Sequence, residues 1–284
     1  MIKDWLDEYQ PKTQTDAQQA LREIMQQTAL AGLQRSGFFE KAAFYGGTAL
    51  RIFYNLERFS EDLDFSLLEV NPDFSLEPYL DAIITEFNAL GMQVSVKEKI
   101  KSAKTNIDSA FLKSETIWKE LVLENVIPQA GLSLKPNIKI KLEVDTRPPL
   151  GFNTEEKLLL RPFSFYVKCF TLEDLFAGKM HALLFRKWKQ RVKGRDWFDM
   201  EWYIKKGISL NLQHFLLRAW NSADWNEKTI SKEKFLQLLK NKINIVSFNS
   251  VKADVVRFIN DNKGIDIWSA KYFNDLIEKI KFKK

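Results

Sequence analysis

Two short segments of the chain alternate between apolar and polar residues, EDLDFSLL at residues 61–68 and NIKIKLEVDTR at residues 137–147. Successive side chains of a β-strand point to opposite faces of the sheet, so each alternation predicts a strand with one buried face. The predicted buried faces consist of Leu63, Phe65 and Leu67 in the first segment and of Ile138, Ile140, Leu142 and Val144 in the second. Both strands carry acidic residues on the opposite face.

Apolar residues at every third or fourth position predict helices elsewhere in the chain. Asp16 is expected to cap the first helix, and Gly32 lies near its end. Thr171 and Asp174 have the spacing of a capping box at the start of a later helix. The other predicted elements are a helix over residues 15–33, a strand at Ala42–Tyr45, a turn at Gly46-Gly47, a helix from Thr48, a helix at Pro78–Leu90, a strand near Met92–Val96 and a helix at Thr171–Lys189.

The strand patterns end after Cys169, and helical patterns continue to the Lys-rich C-terminus. The sequence therefore predicts an α+β protein, in which a lobe with a mixed sheet at residues 1–165 precedes a mainly helical lobe at residues 166–284. A chain of 284 residues with 45% hydrophobic residues is long enough to bury a core in each lobe.

Composition also bears on location and partners. No apolar run approaches the roughly 20 residues that a membrane span needs, and we do not expect the polar first residues to act as a signal peptide. The single cysteine excludes an internal disulfide, so we expect a cytoplasmic protein. The net charge is +6, and seven Lys or Arg residues without one acid lie between Lys179 and Arg195. Such a block marks either a solvated face or a phosphate-binding surface.

The pair Gly46-Gly47 lies where the first predicted strand gives way to a helix. Without side chains, the backbone N–H groups of such a turn can approach a phosphate, and the helix dipole favours the anion. Asp62 and Asp64 follow on one face of a strand, so their carboxylates project together. Two hard carboxylates suit Mg²⁺ or Mn²⁺, which also binds substrate phosphates. The alternatives are a structural turn for the glycines and a solvated sheet face for the aspartates.

Glu143 and Asp145 lie on the polar face of the second alternating segment. If this strand neighbours the first, one of the two supplies a third carboxylate, and we favour Glu143. Three carboxylates would repel one another without cations, so their convergence would itself indicate metal binding. An exposed strand face is the alternative.

GGTALR at residues 46–51 and ERFSEDLDFS at residues 57–66 resemble the opening motif of the AbiEii/AbiGii toxin-type nucleotidyltransferases, relatives of DNA polymerase β. That family also has a Lys-containing helix followed by an Arg-Asp-x-x-Asp element. Here GKMHALLFRKW contains Lys179, and RDWFD follows at residues 195–199. The resemblance covers about residues 40–205 and implies a nucleotidyltransferase fold. The residues that it carries over are Gly46, Gly47, Asp62 and Asp64, then Lys179, Asp196 and Asp199, and less distinctively Glu143.

Lys179 interrupts the apolar stripe of its predicted helix. A buried lysine is unfavourable unless it is paired, so Lys179 either faces an anion or extends to water. We favour contact with the phosphates of an NTP. Asp196 and Asp199 are three residues apart and share a helical face. They either orient Lys179 or Arg51 or act as a base for an acceptor hydroxyl. The alternative is a plain ion pair of Asp199 with Arg195 along the helix.

Three further residues near the glycine pair are nucleotide-binding candidates, namely Thr48, Arg51 and Ser60. Arg51 and Arg58 flank the opening motif. One of them is a candidate for contact with phosphate, and the alternative is that they serve solubility at the surface. Ser60 either forms a hydrogen bond near the metals or merely begins the strand.

The resemblance implies an enzyme that transfers NMP from an NTP to an acceptor and releases pyrophosphate. It also implies the toxin component of a toxin–antitoxin or abortive-infection system, with a cognate antitoxin protein and an RNA acceptor, tRNA being favoured. One alternative is an NTP- or RNA-binding module with the same fold but no turnover. Another is transfer to a small-molecule or protein acceptor, which would be less sensitive to salt than transfer to RNA.

Overall fold

The computed structural model describes residues 1–97, 116–123, 138–186, 192–259 and 262–283. The chain divides into two compact units, which we call the sheet unit and the helical unit. The sheet unit consists of Met1–Phe53, Glu61–Pro148 and Glu155–Cys169. The helical unit consists of Tyr54–Ser60, Pro149–Thr154 and Phe170–Lys284.

The strands of the main sheet are β1 (Ala42–Tyr45), β2 (Leu63–Leu67), β3 (Val94–Lys97), β4 (Thr116–Leu123), β5 (Ile138–Asp145), β6 (Thr154–Leu159) and β7 (Phe165–Phe170). In the described part of the chain these seven strands form one mixed sheet in the order β3-β4-β5-β2-β1-β7-β6. Strand β2 is antiparallel to β1 and parallel to β5, and β1 is parallel to β7. The strands predicted from the two alternating segments are therefore confirmed, and they lie side by side.

The helices of the sheet unit are α1 (Ile2–Glu8), α2 (Gln14–Arg35), α3 (Gly46–Tyr54) and α4 (Glu77–Ala89). The apolar faces of β2 and β5 are buried together with residues of α2 and α4 in one core. Gly32 permits close contact of these two helices, because a Cβ there would lie 2.5 Å from the Cα of Ile83.

The predicted cap of α2 was wrong. Thr13 is the cap, and Asp16 completes a capping box with it because each side chain accepts the other's backbone N–H.

The elements of the helical unit are α5 (Leu172–Phe185), α6 (Gly194–Lys205), β8 (Ser209–Leu210), α7 (Leu212–Asn221), α8 (Lys232–Ile245), α9 (Phe248–Val255), α10 (Ala270–Ile277) and β9 (Lys281–Phe282). Aromatic pairs fill its core. Phe176 of α5 stacks on Tyr203 of α6 with ring centroids 4.5 Å apart, and Trp197 of α6 meets Phe273 of α10 edge-on at 5.1 Å. These contacts fix the helices that carry the lysine and aspartates singled out in the sequence.

Helix α5 differs from the prediction at both ends. Thr171 is at the cap position, but its hydroxyl donates to the Asp174 carboxylate at 2.9 Å and does not cap the helix. The helix ends at Phe185, since Arg186 is extended. Residues 187–191, the middle of the basic block, lie outside the described residues. The predicted α+β class is confirmed. None of the described helices is both long and apolar enough to cross a lipid bilayer.

Candidate active site

The glycine pair begins helix α3 directly after strand β1. Gly46 has φ +88°, a left-handed conformation that favours glycine. A Cβ at this position would lie 2.4 Å from Oδ2 of Asp64, because Asp64 pairs with Tyr45 across the two strands. The absence of a side chain therefore serves the turn and also leaves room for the Asp64 carboxylate. Gly47, the next residue, is buried.

Two hydrogen bonds hold the chain just before β2. The buried Thr48 hydroxyl donates to the backbone carbonyl of Asp62. The side-chain amide of Gln26, from α2, donates to the carbonyl of Glu61 at 3.1 Å. Asp62 thus lies immediately before the strand, whereas Asp64 lies within it, and both are partly exposed. Thr48, predicted to bind nucleotide, is placed so that its hydroxyl positions the backbone of the Asp pair.

The parallel pairing of β2 with β5 places Asp64 beside Glu143 and Ser66 beside Asp145. Residues paired in this way point to the same face of a sheet, so the Glu143 and Asp64 side chains share a face. The Glu143 carboxylate accepts a hydrogen bond from Lys141 on the same strand. Asp145 lies two residues further along and accepts the backbone N–H of Arg147 at 3.1 Å. The register thus favours Glu143 over Asp145 as the third carboxylate.

The chemistry of these residues fits a divalent cation. Carboxylate oxygens are the ligands that Mg²⁺ and Mn²⁺ prefer, and Asp64 and Glu143 offer them from neighbouring strands. Gly46 supplies the space beside Asp64 that any larger residue would fill. Across the described ranges, no three His, Cys, Asp or Glu side chains already form a compact metal-binding group.

A second group of predicted residues meets inside the helical unit. The Lys179 ammonium lies 2.9 Å from Oδ1 of Asp196 and 2.8 Å from Oδ2 of Asp199. Arg58 donates from Nε to Oδ1 and from Nη2 to Oδ2 of Asp199, both at 2.6 Å. Arg58 is 2% exposed and Asp199 is fully buried. We call Arg58, Lys179, Asp196 and Asp199 the buried charge cluster.

Helix α6 presents its two aspartates because its first turn is anchored. A Cβ on Gly194 would lie 2.1 Å from the carbonyl oxygen of Val251, so only glycine permits this contact with α9. The Gly194 N–H also donates to the Asp254 carboxylate at 2.9 Å. Asp196 and Asp199 then follow on one face of α6, as the sequence predicted.

All members of the cluster with a shifted pKa are held in their charged forms. Burial would raise the pKa of Asp199, but Arg58 and Lys179 outweigh it and lower the pKa to about 2. Burial would likewise lower the pKa of Lys179, but Asp196 and Asp199 raise it above its ordinary value. The pKa of Arg58 is raised because Asp199 outweighs the effect of burial. At neutral pH Asp199 is therefore an anion, and Lys179 and Arg58 are cations.

The remaining candidates have other surroundings. Arg51 forms an ion pair with Glu23 of α2 at 2.8 Å. Ser60 is partly exposed and ends the segment Tyr54–Ser60. The guanidinium of Arg195 lies 4.0 Å from the ring centre of Phe258, while both oxygens of Asp199 are held by other cations.

The partnership of Arg58 was missed by the sequence analysis. The surface alternative for this residue is wrong, because its side chain is buried. Its partner Asp199 is 141 residues away in the sequence. Neither periodicity nor spacing detects such a pair, and the only signal is an arginine beside the acidic motif.

A family model described as nucleotidyl transferase AbiEii toxin of type IV toxin–antitoxin systems matches residues 28–278. The chain belongs to this family. As an AbiEii-family member it is a nucleotidyltransferase, and the family implies an NTP substrate and a cognate antitoxin. No curated protein sequence matches it.

Two solved structures share the fold of this AbiEii-family chain. One is the nucleotidyltransferase toxin MenT4 from Mycobacterium tuberculosis H37Rv, with 14% identity, a TM-score of 0.62 and coverage of 98% of this chain and 89% of MenT4. The other is JHP933 from Helicobacter pylori, with 16% identity, a TM-score of 0.51 and coverage of 92% of this chain and 90% of JHP933. At such identities the likeness concerns the fold alone.

Proposed function

We propose that this AbiEii-family enzyme transfers NMP from an NTP to an RNA acceptor, with tRNA the favoured RNA. The observation that carries the proposal is the placement of Asp64 against the side-chain-free Gly46, in register with Glu143. This arrangement puts an anion-binding helix start beside two carboxylates, which is what a metal-bound triphosphate requires. In this role the protein is the cytoplasmic toxin of a toxin–antitoxin or abortive-infection system.

The residues act on the donor as follows. The first N–H groups of α3, at Gly46 and Gly47, bind phosphate oxygens of the NTP. The family resemblance assigns the Lys179 ammonium to the NTP phosphates as well. Mg²⁺ or Mn²⁺, held by Asp62, Asp64 and Glu143, would neutralise the charge that develops on the α-phosphoryl group and on the leaving pyrophosphate. The acceptor hydroxyl oxygen bonds to the α-phosphorus as the bond from that phosphorus to pyrophosphate breaks, and the hydroxyl proton is released to solvent.

The contacts of Asp199 favour an orienting role over that of a general base. An efficient base has a pKa near the working pH, whereas the pKa of Asp199 is lowered to about 2. Its two oxygens are also occupied by Arg58 and Lys179. Asp199 and Asp196 therefore hold Lys179 in place.

The charge distribution supports an RNA acceptor. Residues 170–284 contain 23 Lys or Arg against 13 Asp or Glu, an excess of ten positive charges in a chain whose net charge is +6. The positive charge is thus concentrated in the helical unit and exceeds that of the whole chain. Phosphate neutralisation by such residues supplies most of the nonspecific affinity for nucleic acid.

The test is transfer of label from each α-labelled NTP to total RNA, with Mg²⁺ or Mn²⁺ present. Asp64→Asn removes the charge but keeps the shape, and Asp73→Asn is the matched control because Asp73 lies in an exposed turn. We expect label in a tRNA-sized band with wild type and Asp73→Asn, and none with Asp64→Asn. NTP binding without transfer to any RNA, small molecule or protein would instead support a binding module.

The salt dependence of the transfer rate distinguishes an RNA acceptor from a small-molecule or protein acceptor. Transfer to RNA should weaken steeply as salt rises from 50 to about 200 mM, because counterions compete for the phosphates. Turnover that labels no RNA and is indifferent to salt would overturn the RNA acceptor and support a small-molecule or protein acceptor.

A further inference from the structure

We propose that Arg58 is a positioning residue that keeps Lys179 able to bind the triphosphate. The inference rests on the proposed function, since it concerns how Lys179 meets the NTP. Within the helical unit, Arg58 donates to both carboxylate oxygens of Asp199, and one of these oxygens also contacts the Lys179 ammonium. Arg58 itself, at 2% exposure, is too deeply buried to touch a substrate.

Hydrogen bonds from all three guanidinium nitrogens fix the orientation of Arg58 relative to Asp199. Nε and Nη2 donate to the two carboxylate oxygens of Asp199, and Nη1 donates to the carbonyl of Phe59 at 2.9 Å. The Phe59 N–H in turn donates to the carbonyl of Phe258 at 2.9 Å. Asp199 therefore has one orientation, and the position of its Oδ2 atom, which Lys179 contacts, is defined by Arg58.

The net charge of the cluster explains why Lys179 could not bind a triphosphate well without Arg58. Two carboxylates facing a single ammonium would leave the cluster with one negative charge, which would repel a triphosphate. Arg58 brings the cluster to neutrality and shares Asp199 with Lys179. An ammonium has three N–H donors, and the two carboxylates in the described structure accept two of them, so one is left for a phosphate oxygen.

The experiment measures the dissociation constant of an NTP in the presence of Mg²⁺ by calorimetry, and kcat and KM where transfer is observed. The variants are Arg58→Met, Arg58→Lys, Lys179→Met and the double variant Arg58→Met/Lys179→Met. Lys240→Met removes one positive charge from the partly exposed ion pair with Glu278 and serves as the charge control. Thermal unfolding of each variant shows whether it is folded.

We expect Arg58→Met to weaken NTP binding about tenfold or more, as loss of a charged hydrogen-bond pair does. Arg58→Lys should recover part of the affinity, because it restores the charge without the fork. In the Lys179→Met background, Arg58→Met should lower the affinity less than it does in the wild type, because the side chain that Arg58 positions is then absent. Lys240→Met should bind like wild type.

Additive losses in the double variant would overturn the inference, because Arg58 would then act independently of Lys179. Unchanged affinity in Arg58→Met would overturn it as well. If Arg58→Met does not fold, Arg58→Lys with and without Lys179→Met gives the same comparison. A wild type that binds NTP without transferring label would refute the proposed function alone, whereas a wild type that binds no NTP would refute both.

Discussion

Replacing Gly46 by Ala would add one methyl group at a position where the structure leaves no room for it. The new Cβ would lie 2.4 Å from Oδ2 of Asp64, whereas ordinary contacts begin at 3.4 Å. The carboxylate must therefore move by about 1 Å, and a displacement of about that size can lower a catalysed rate about 100-fold. The left-handed φ of +88° adds a strain of about 1 kcal/mol in the folded state.

Gly91 provides a matched control in the same unit. It also has a left-handed φ, +74°, but a Cβ there would meet nothing within 4 Å. Gly91→Ala should therefore show the backbone strain alone, about 1 kcal/mol, or a fall in the melting temperature of about 2–4 °C. Gly46→Ala should show a comparable fall together with the loss of transfer.

The assay is the initial rate of label transfer from NTP, beside thermal unfolding of both variants. If Gly46→Ala transfers label as fast as Gly91→Ala, the position of Asp64 against the glycine is not what the reaction needs. If Gly91→Ala is equally inactive, strain in the sheet unit is the cause, and the argument from the clash with Asp64 fails.

Other expectations concern the carboxylates, the strand approach and a buried histidine. Glu143→Gln should lower turnover about 100-fold and Asp145→Asn by less than about twofold; the reverse order would reassign the third carboxylate. Thr48→Val should destabilise the fold by about 1 kcal/mol, because it removes the hydroxyl that donates to the Asp62 carbonyl, and an unchanged melting temperature would contradict this. Burial and, secondarily, Arg218 lower the pKa of His214 from 6.5 to about 4, so the unfolded chain protonates first as the pH falls. Stability should therefore decline by about 2 kcal/mol between pH 7 and pH 5, and His214→Phe should remove that part of the decline; equal pH dependence in both proteins would refute the assignment.

The local pattern of apolar and polar residues predicted those helices and strands that have one buried face and one exposed face. The alternation around Phe65 and Val144 predicted two strands that the structure confirms. The two strands are also neighbours, which the prediction of Glu143 as a third carboxylate required. Strand β7 was not predicted, because its exposed Tyr166 is aromatic and conceals the alternation with the buried Phe165 and Val167. Strand β6 was not predicted either, since an edge strand with charged residues shows little contrast between its faces.

The candidate site was predictable to the extent that its residues are close in sequence. The Gly46 turn and the Asp62–Asp64 pair form one motif, and the helical spacing of Asp196 and Asp199 put both on one face. The bond between Arg58 and Asp199 joins distant parts of the chain, and the register that selects Glu143 is a property of the folded sheet. Neither leaves a periodic signal in the sequence.

The segment Tyr54–Ser60 belongs to the helical unit, although helix α3 before it and strand β2 after it contribute to the sheet unit. A helical unit expressed from residue 170 onward would lack Arg58 and would bury Asp199 with Lys179 as its remaining cation in the cluster. Breaking such a buried pair destabilises a fold by roughly 3–5 kcal/mol. The two units are therefore not interchangeable modules, and a chimaera between relatives would have to exchange this short segment together with the C-terminal part to keep the charge cluster intact.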